Sequence, residues 1–407
     1  MTKTSRRTPA RLSAIGCVLG LLALQAQAQT SPWYLGINQR LEYQSNVYQA
    51  SAGEISDTIS ITSLVGGFDL PVGRQQFFGR ASLSANRYQS RSVLNNNGHS
   101  AQLGLNWETI GNLAGTIAVD SSESLAEFNP SGLPGVFDNN RTSTTGAQAT
   151  ARIGLVTRLT GEAGVSTRKT RYDNPLYVSR NLNIDEVFGG LRYRPAGALV
   201  LGIGLRATRG EYPNFRNPGP GRFTPESFDR DNLDLSAEWP MSGASRLDAR
   251  VSIGRDRYDT LTVGNYDGVT GSIKWMWQPT GRTSLITGYT RSSGDQAQIN
   301  NSIPGLAPYT ASINRVSDTL FASADYELTG KIKAKAGLSF SDASTLDLTR
   351  LTAGSERLTA ATLGLTWDAT RAIRAGCDVS YRTRASQAGV AGYDASTFGC
   401  FGEFVLR

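Results

Sequence analysis

Apolar and polar residues alternate along most of this chain with a period of two. Trp33, Leu35, Ile37, Leu41 and Tyr43 share one parity, and Tyr34, Asn38, Arg40 and Glu42 the other. Leu199, Leu201, Ile203, Leu205 and Ala207 oppose Gly202, Gly204, Arg206 and Thr208. Leu233, Leu235, Ala237 and Trp239 oppose Asn232, Asp234, Ser236 and Glu238, and Ile332 to Phe340 alternates against Lys331, Lys333, Lys335 and Ser339. Period two sends successive side chains to opposite faces of a strand. Neither helical apolar periodicity nor continuous Val/Ile/Leu runs interrupt it, which excludes a soluble α/β enzyme.

A second pattern sits on the first. Trp107, Tyr193, Trp239, Trp277 and Tyr326 each end an alternating stretch and are followed within a few residues by a glycine turn; Trp367-Asp-Ala-Thr is a degenerate sixth copy. The copies lie 86 (two steps of 43), 46, 38, 49 and 41 residues apart, the range of a repeated supersecondary unit. Eight short connections lie near Pro71-Val-Gly, Ile110-Gly-Asn, Arg158-Leu-Thr, Pro195-Ala-Gly, Pro240-Met-Ser-Gly, Pro279-Thr-Gly, Thr329-Gly and Ala369-Thr. They alternate with nine longer Asn/Gly/Ser/Pro-rich segments, the longest at Glu127 to Thr145, Gly210 to Asp229 and Ser292 to Ala311. Seventeen connections predict eighteen strands, sixteen if one weak pair is miscounted.

Strands with one apolar face each, and no helix to cover them, must meet lipid and close on themselves to remove their edges. The fold expected is all-β: a transmembrane antiparallel up-and-down barrel. Short turns then face the periplasm, long loops face outward, and the six aromatics form the periplasmic girdle.

The amino terminus supplies the route. Lys3, Arg6, Arg7 and Arg11 precede the apolar run Leu12 to Leu24, and Ala26-Gln-Ala28 is a small-residue cleavage site. Residues 1–28 therefore read as a secretory signal and 29–407 as the barrel, placed in the bacterial outer membrane. Thr8-Pro9-Ala10 after Arg6-Arg7 argues against a twin-arginine signal, and Cys17 lies too early in the apolar run for lipidation. The signal carries four basic residues and no acids, so its removal lowers the net charge from +7 to +3. That balance, together with export, argues against nucleic acid as a partner.

Chemistry-bearing residues are sparse. His99, the one histidine, shares parity with Leu103 and Leu105 and so points to lipid or the rim, which argues against a Ser-His-Asp triad. No His/Cys cluster suggests a metal, and no cofactor motif is present. No catalytic residue is assigned. Asp234/Glu238 and Asp325/Glu327 face inward as carboxylate pairs, but no closed pocket is predicted for a glycosidase dyad. Arg80, Arg152, Arg192, Arg206, Arg250, Lys274, Lys333 and Lys335 are also inward, with Asp234, Glu238, Asp248, Asp325 and Glu327 interleaved. They line the lumen, either tuning permeation or pairing along the wall. Pro213 to Arg222 is long enough to fold into the lumen as a constriction or to stay at the surface. Cys377 and Cys400 lie on the last two strands at outward parity, placed to face each other if the hairpin centres near residues 388 and 389. An oxidising periplasm permits a structural disulfide; the other reading is two small lipid-facing residues.

Tyr43-Gln-Ser-Asn-Val-Tyr48, Asp69-Leu-Pro-Val-Gly-Arg-Gln75, Asn86-Arg-Tyr88, Gly210-Glu-Tyr-Pro-Asn214, Asp256-Arg-Tyr-Asp259 and Trp277-Gln-Pro-Thr-Gly-Arg282 carry a resemblance. The chain resembles the outer-membrane β-barrels encoded with exopolysaccharide biosynthesis genes (Eps L-type), within a wider β-barrel porin class. The resemblance implies a role in moving polysaccharide across the outer membrane. It brings no catalytic motif. The final residue, Arg407, departs from the aromatic end common among such barrels. Expected partners are outer-membrane lipid and lipopolysaccharide, polysaccharide, the barrel assembly machinery and a periplasmic export subunit. A general diffusion porin is the alternative function, and a barrel enzyme acting on lipid or glycan a more distant one.

Overall fold

A computed structural model describes residues 31–407, apart from 127, 129–137, 155–156, 196, 220–221, 261–264, 294–314, 348–351 and 386–391. The signal segment lies outside the described residues. Eighteen strands follow in chain order: β1 (Trp33–Gln44), β2 (Asp57–Val72), β3 (Gln75–Tyr88), β4 (Asn96–Glu108), β5 (Leu113–Leu125), β6 (Arg141–Ile153), β7 (Leu159–Tyr172), β8 (Leu182–Tyr193), β9 (Val200–Gly219), β10 (Arg222–Ser242), β11 (Ser245–Tyr258), β12 (Tyr266–Thr280), β13 (Thr283–Ser293), β14 (Arg315–Glu327), β15 (Ile332–Asp347), β16 (Thr352–Asp368), β17 (Ile373–Ala385) and β18 (Tyr393–Leu406). Each pairs antiparallel with its sequence neighbours in one sheet, and β18 pairs with β1 from Leu35↔Leu406 to Gln44↔Thr397. The sheet is therefore a closed barrel of eighteen strands, not the sixteen of the alternative count.

Both chain ends of the barrel lie at the short-turn end, since an even number of up-and-down strands returns to its starting side. Gly73-Arg74 joins β2 to β3, Gly243-Ala244 joins β10 to β11, and Gly281-Arg282 joins β12 to β13. Gly73 has φ +64°, a conformation glycine adopts without a Cβ penalty. The sequence places Pro71, Pro240 and Pro279 in the turns; they lie within the last three residues of β2, β10 and β12 instead. A proline there costs little, because it withholds an N–H only where the ladder is ending.

Odd and even positions separate as the alternation requires. Ile203, Leu205, Val165, Leu338 and Leu363 are exposed large apolar residues on the outer surface, with Leu205 68% exposed. The outer apolar stretch runs from Leu233 to Trp239 on β10 and from Val269 to Trp277 on β12. A tilted membrane-crossing strand needs roughly 9–11 residues. Beyond the stretch, the outward positions become charged: Arg209, Asp231, Arg255, Asp267, Asp318, Asp342 and Arg357. Several of these pair, as Arg291 does with Asp318 at 3.0 Å and Arg357 with Asp342 at 3.1 Å. The outer wall is thus an apolar belt with a charged edge at the long-loop end and aromatics at the short-turn end.

At the long-loop end, inward residues are buried. Leu182, Ile184, Tyr212, Phe215, Phe228 and Tyr258 form one cluster, and the Phe228 and Tyr258 ring centroids are 5.2 Å apart. Val47, Tyr48, Leu94 and Phe128 form a second between loops, with Tyr48 and Phe128 edge to face at 5.2 Å. The first cluster corrects an expectation. Gly210 to Asp229 reads as a long loop, and its Pro/Gly-rich part as a candidate constriction. Apart from residues 220–221, which lie outside the described residues, it is instead the continuation of β9 and β10, which run 20 and 21 residues and stand beyond their neighbours. Their pairing shifts register between Arg222 and Thr224 and again between Thr224 and Glu226. Pro213 and Pro225, which have no N–H to donate, sit within these irregular ends. Buried Tyr212 and Phe228 hold the extension against β8 and β11.

A charge at the middle of the belt tests the lipid-facing assignment. Ile203→Lys is expected to destabilise the barrel by about 2–4 kcal/mol in a bilayer, and Arg209→Gln at the belt's edge by less than about 1 kcal/mol. Denaturant unfolding in lipid vesicles measures both.

Candidate functional site in the barrel lumen

Inward positions carry the chain's polar chemistry, and neighbouring strands bring it together in sequence order. On β2 to β5, amides and a carboxylate form one run. Thr116 Oγ1 donates to Asn106 at 2.8 Å, Asn106 Nδ2 donates to Gln76 at 3.0 Å, and Gln76 Nε2 donates to both Asp69 oxygens at 2.8 and 3.0 Å. Each step crosses one strand pair.

From β6 to β12 the run is ionic. Arg152 meets Glu162 at 3.5 Å, and Glu162 lies 3.7 Å from Arg192. Arg192 crosses β9, where Gly202 stands directly opposite it, and pairs with Glu238 on β10. Glu238 also meets Arg246 at 3.4 Å, Arg246 meets Asp248 at 2.7 Å, and Asp248 lies 3.9 Å from Lys274. The run therefore alternates sign over the inward faces of six strands.

A parallel set lies nearer the long-loop end. Arg206 Nε and Nη2 donate to the two Asp234 oxygens at 2.9 and 3.0 Å, a bidentate pair. Arg206 Nη1 reaches Glu186 at 3.5 Å, Ser252 Oγ donates to Asp234, and Thr208 Oγ1 donates to Glu186 at 3.2 Å. Above it Arg230 and Asp256 form an almost fully buried bidentate pair at 2.6 and 2.9 Å.

On the remaining wall Asp325 pairs with Lys335 at 3.5 Å and Glu327 with Lys333 at 3.2 Å. Arg40 crosses β18 to grip Asp378 on β17 at 2.7 and 2.9 Å and also meets Glu42 at 2.7 Å. It lies across Gly399, where a Cβ would meet the guanidinium and push it aside, so glycine is what lets this pair form in the observed geometry. At the short-turn end, beyond the aromatics, Arg374 hydrogen-bonds Asp368 and holds its carboxyl below the usual carboxylate range.

All ten residues assigned to the lumen stand at inward parity: Arg80, Arg152, Arg192, Arg206, Asp234, Glu238, Arg250, Lys274, Asp325 and Glu327. Eight of them engage opposite charges as described above. Arg80 is exposed to the lumen and, like Arg250, makes no ion pair among the described residues. Sequence reasoning passed over Glu162 and Glu186, although the parity of β7 and β8 carries the signal that finds them. Each is the only carboxylate at an inward position of its strand, and each bridges two neighbours.

The other assigned positions are on the outer wall. Tyr193, Trp239, Trp277, Tyr326 and Trp367 are exposed at outward parity beside short turns. Trp107 has the same parity, but its indole lies over Gly115 on β5 and is half-buried. Trp275 stacks on Trp277 with centroids 5.3 Å apart and donates from Nε1 to Ser245 at 2.8 Å. Cys377 and Cys400 are register partners, with a sulfur–sulfur distance of 2.14 Å. His99 is on the outer side near the long-loop end, 3.0 Å from Ser121 Oγ, and its register partner Glu123 pairs with Arg141 at 2.8 Å. No group of three or more His, Cys, Asp or Glu suited to a metal occurs among the described residues.

A closed sheet with an apolar outer belt and a charge-lined interior defines the class: a transmembrane antiparallel β-barrel of eighteen strands. No family model and no curated protein matches this chain. Among solved structures it is similar to the outer membrane protein opdK of Pseudomonas aeruginosa, at 12% identity over 92% of this chain and 99% of that chain, with a TM-score of 0.49. It is similar to OccK2 (OpdF) of P. aeruginosa in complex with glucuronate, at 15% identity over 92% and 98%, TM-score 0.49. It is also similar to a mutant of the ferric enterobactin receptor PfeA of P. aeruginosa, at 10% identity over 93% and 81%, TM-score 0.45. At these identities and scores the likenesses say nothing about cargo.

Arg206 gives the direct test of the pairing. Arg206→Ala strands two carboxylates and is expected to cost about 1.5–3 kcal/mol, the range for charged hydrogen bonds. Adding Asp234→Ala should cost clearly less than the sum of the two single changes. A double-mutant cycle from denaturant unfolding measures the coupling.

Proposed function

We propose that this chain is an integral outer-membrane barrel that gives exopolysaccharide a polar passage across the outer membrane. The observation that carries the reading is the near-continuous run of paired charges and amides along the inward wall from β2 to β12. Such a wall is wet but has most of its charge already neutralised. A glycan chain meets many weak hydrogen-bonding contacts on it and no single deep trap. Conduction requires sites favourable enough to enter and weak enough to leave. Eighteen strands fall in the size range in which barrels enclose an aqueous interior. The resemblance to the Eps L-type barrels supplies the choice of polysaccharide as cargo.

The same reading places lipid and lipopolysaccharide against the outer belt. It has the barrel assembly machinery insert the chain after a signal peptide directs its export. It feeds the short-turn end, on the periplasmic side, from an export subunit. General diffusion of small solutes is the second reading. It is favoured by the spread of the charge pairs around the wall, without convergence on one pocket. An enzymatic reading has less support, since Asp234, Glu238, Asp325 and Glu327 are each engaged by a cation.

A deletion strain separates the two readings. The export reading expects a marked fall in secreted polysaccharide, recovered on complementation, with material retained in the periplasm. Normal secretion, together with planar-bilayer conductance permeable to many small solutes, would replace it with general diffusion.

A further inference from the structure

Between the Arg192–Glu238–Arg246 run and the buried Arg230–Asp256 pair, the inward wall of β8 to β11 holds two carboxylates and two guanidinium groups: Glu186, Asp234, Arg206 and Arg250. They do not pair off evenly. Arg206 takes both carboxylates, bidentate to Asp234 and at 3.5 Å from Glu186. Ser252 and Thr208 complete the acceptors, with Ser252 Oγ donating to Asp234 and Thr208 Oγ1 to Glu186 at 3.2 Å. Arg250 is left without an ion pair among the described residues, and its Nε is buried with no hydrogen-bond partner. Its register partners are Ser236 on β10 and Ser272 on β12, both inward.

The Nε–H of Arg250 is buried without an acceptor, whereas its two Nη groups make no hydrogen bond among the described residues and are not buried, so they are open to the lumen. A partner arriving from the lumen meets the open Nη donors without breaking an existing ion pair. The group that matches a guanidinium fork is a planar oxyanion taken through two parallel hydrogen bonds. The serines on either side offer hydroxyls at the spacing of adjacent strands, suited to the hydroxyl groups beside such an anion on a sugar ring.

We propose that Arg250 is a lumen binding point for the carboxylate of a uronate-bearing glycan, so that the passing chain is acidic rather than neutral. This rests on the export reading above for the identity of the ligand as a glycan, and on Arg250 alone for its charge. Because Arg206, Asp234 and Glu186 are committed to one another, the site carries little net charge. Binding is therefore shallow and reversible, as passage requires.

The test is calorimetric titration of the purified full barrel in detergent micelles with trigalacturonate and with its neutral methyl ester. The expected result is binding of the acid at least about tenfold tighter than the ester. Arg250→Gln should abolish the difference, Arg250→Lys should keep part of it, and Arg255→Gln on the outer rim should leave it intact. Heat-modifiable migration confirms that each variant is folded. The proposal is overturned if the unaltered barrel binds acid and ester alike or binds neither, if Arg250→Gln retains the preference, or if sulfate competes as well as the uronate does. The two readings fail separately. Uronate binding in a barrel whose deletion leaves secretion normal removes the export role and keeps the site. Lost secretion without uronate binding removes the site alone.

Discussion

Everything in this structure depends on one constraint: a backbone surrounded by hydrocarbon must satisfy its own N–H and C=O groups. Each unmet group in lipid costs several kcal/mol. The pairing of β18 with β1, from Leu35↔Leu406 to Gln44↔Thr397, removes the only two edges the sheet would otherwise expose. Once the sheet is closed, alternate side chains have no choice of environment. One parity meets lipid and the other meets the lumen. The apolar belt and the charged interior are the two faces of a single alternation.

Closure also explains where the interior is ordered. Within the belt, inward side chains are long and charged, and they brace neighbouring strands through pairs such as Arg40–Asp378 and Arg206–Asp234. At Gly399 the Arg40 guanidinium lies directly over the glycine where it crosses the intervening strand. Towards the long loops the inward residues change to aromatics, and Tyr212, Phe228 and Tyr258 close over the buried Arg230–Asp256 pair. The lumen thus passes from a wet, charge-paired lower part to a tighter upper part, and Arg250 stands just below that change.

The barrel was legible in the sequence because its rules are local. A period of two, short turns after aromatics and a strand count need no knowledge of distant contacts, and Ile203 or Trp277 can be assigned to the outer wall by parity alone. The β9–β10 extension was not legible. Pro213, Pro218 and Gly219 are loop signals, and only the burial of Tyr212 and Phe228 against β8 and β11 makes the segment a strand pair. For the lumen, parity gave the residues but not their partners. Arg192 reaches Glu238 across an intervening strand as well as Glu162 on the adjacent one, and nothing in either strand's own sequence announces the second partner. For the same reason Arg80, Arg206 and Arg250 look alike in sequence, yet only Arg206 is doubly paired.

The most direct measurement is the environment of consecutive residues along one strand. Single cysteines placed in turn from Leu201 to Ala207 on β9, with Cys377 and Cys400 replaced by serine, can be labelled with a fluorophore in reconstituted vesicles. The account predicts strict alternation: labels at 201, 203, 205 and 207 quenched by brominated lipid, and labels at 202, 204 and 206 quenched by a water-soluble agent. Quenching that does not alternate, or that comes from water at every position, would contradict it.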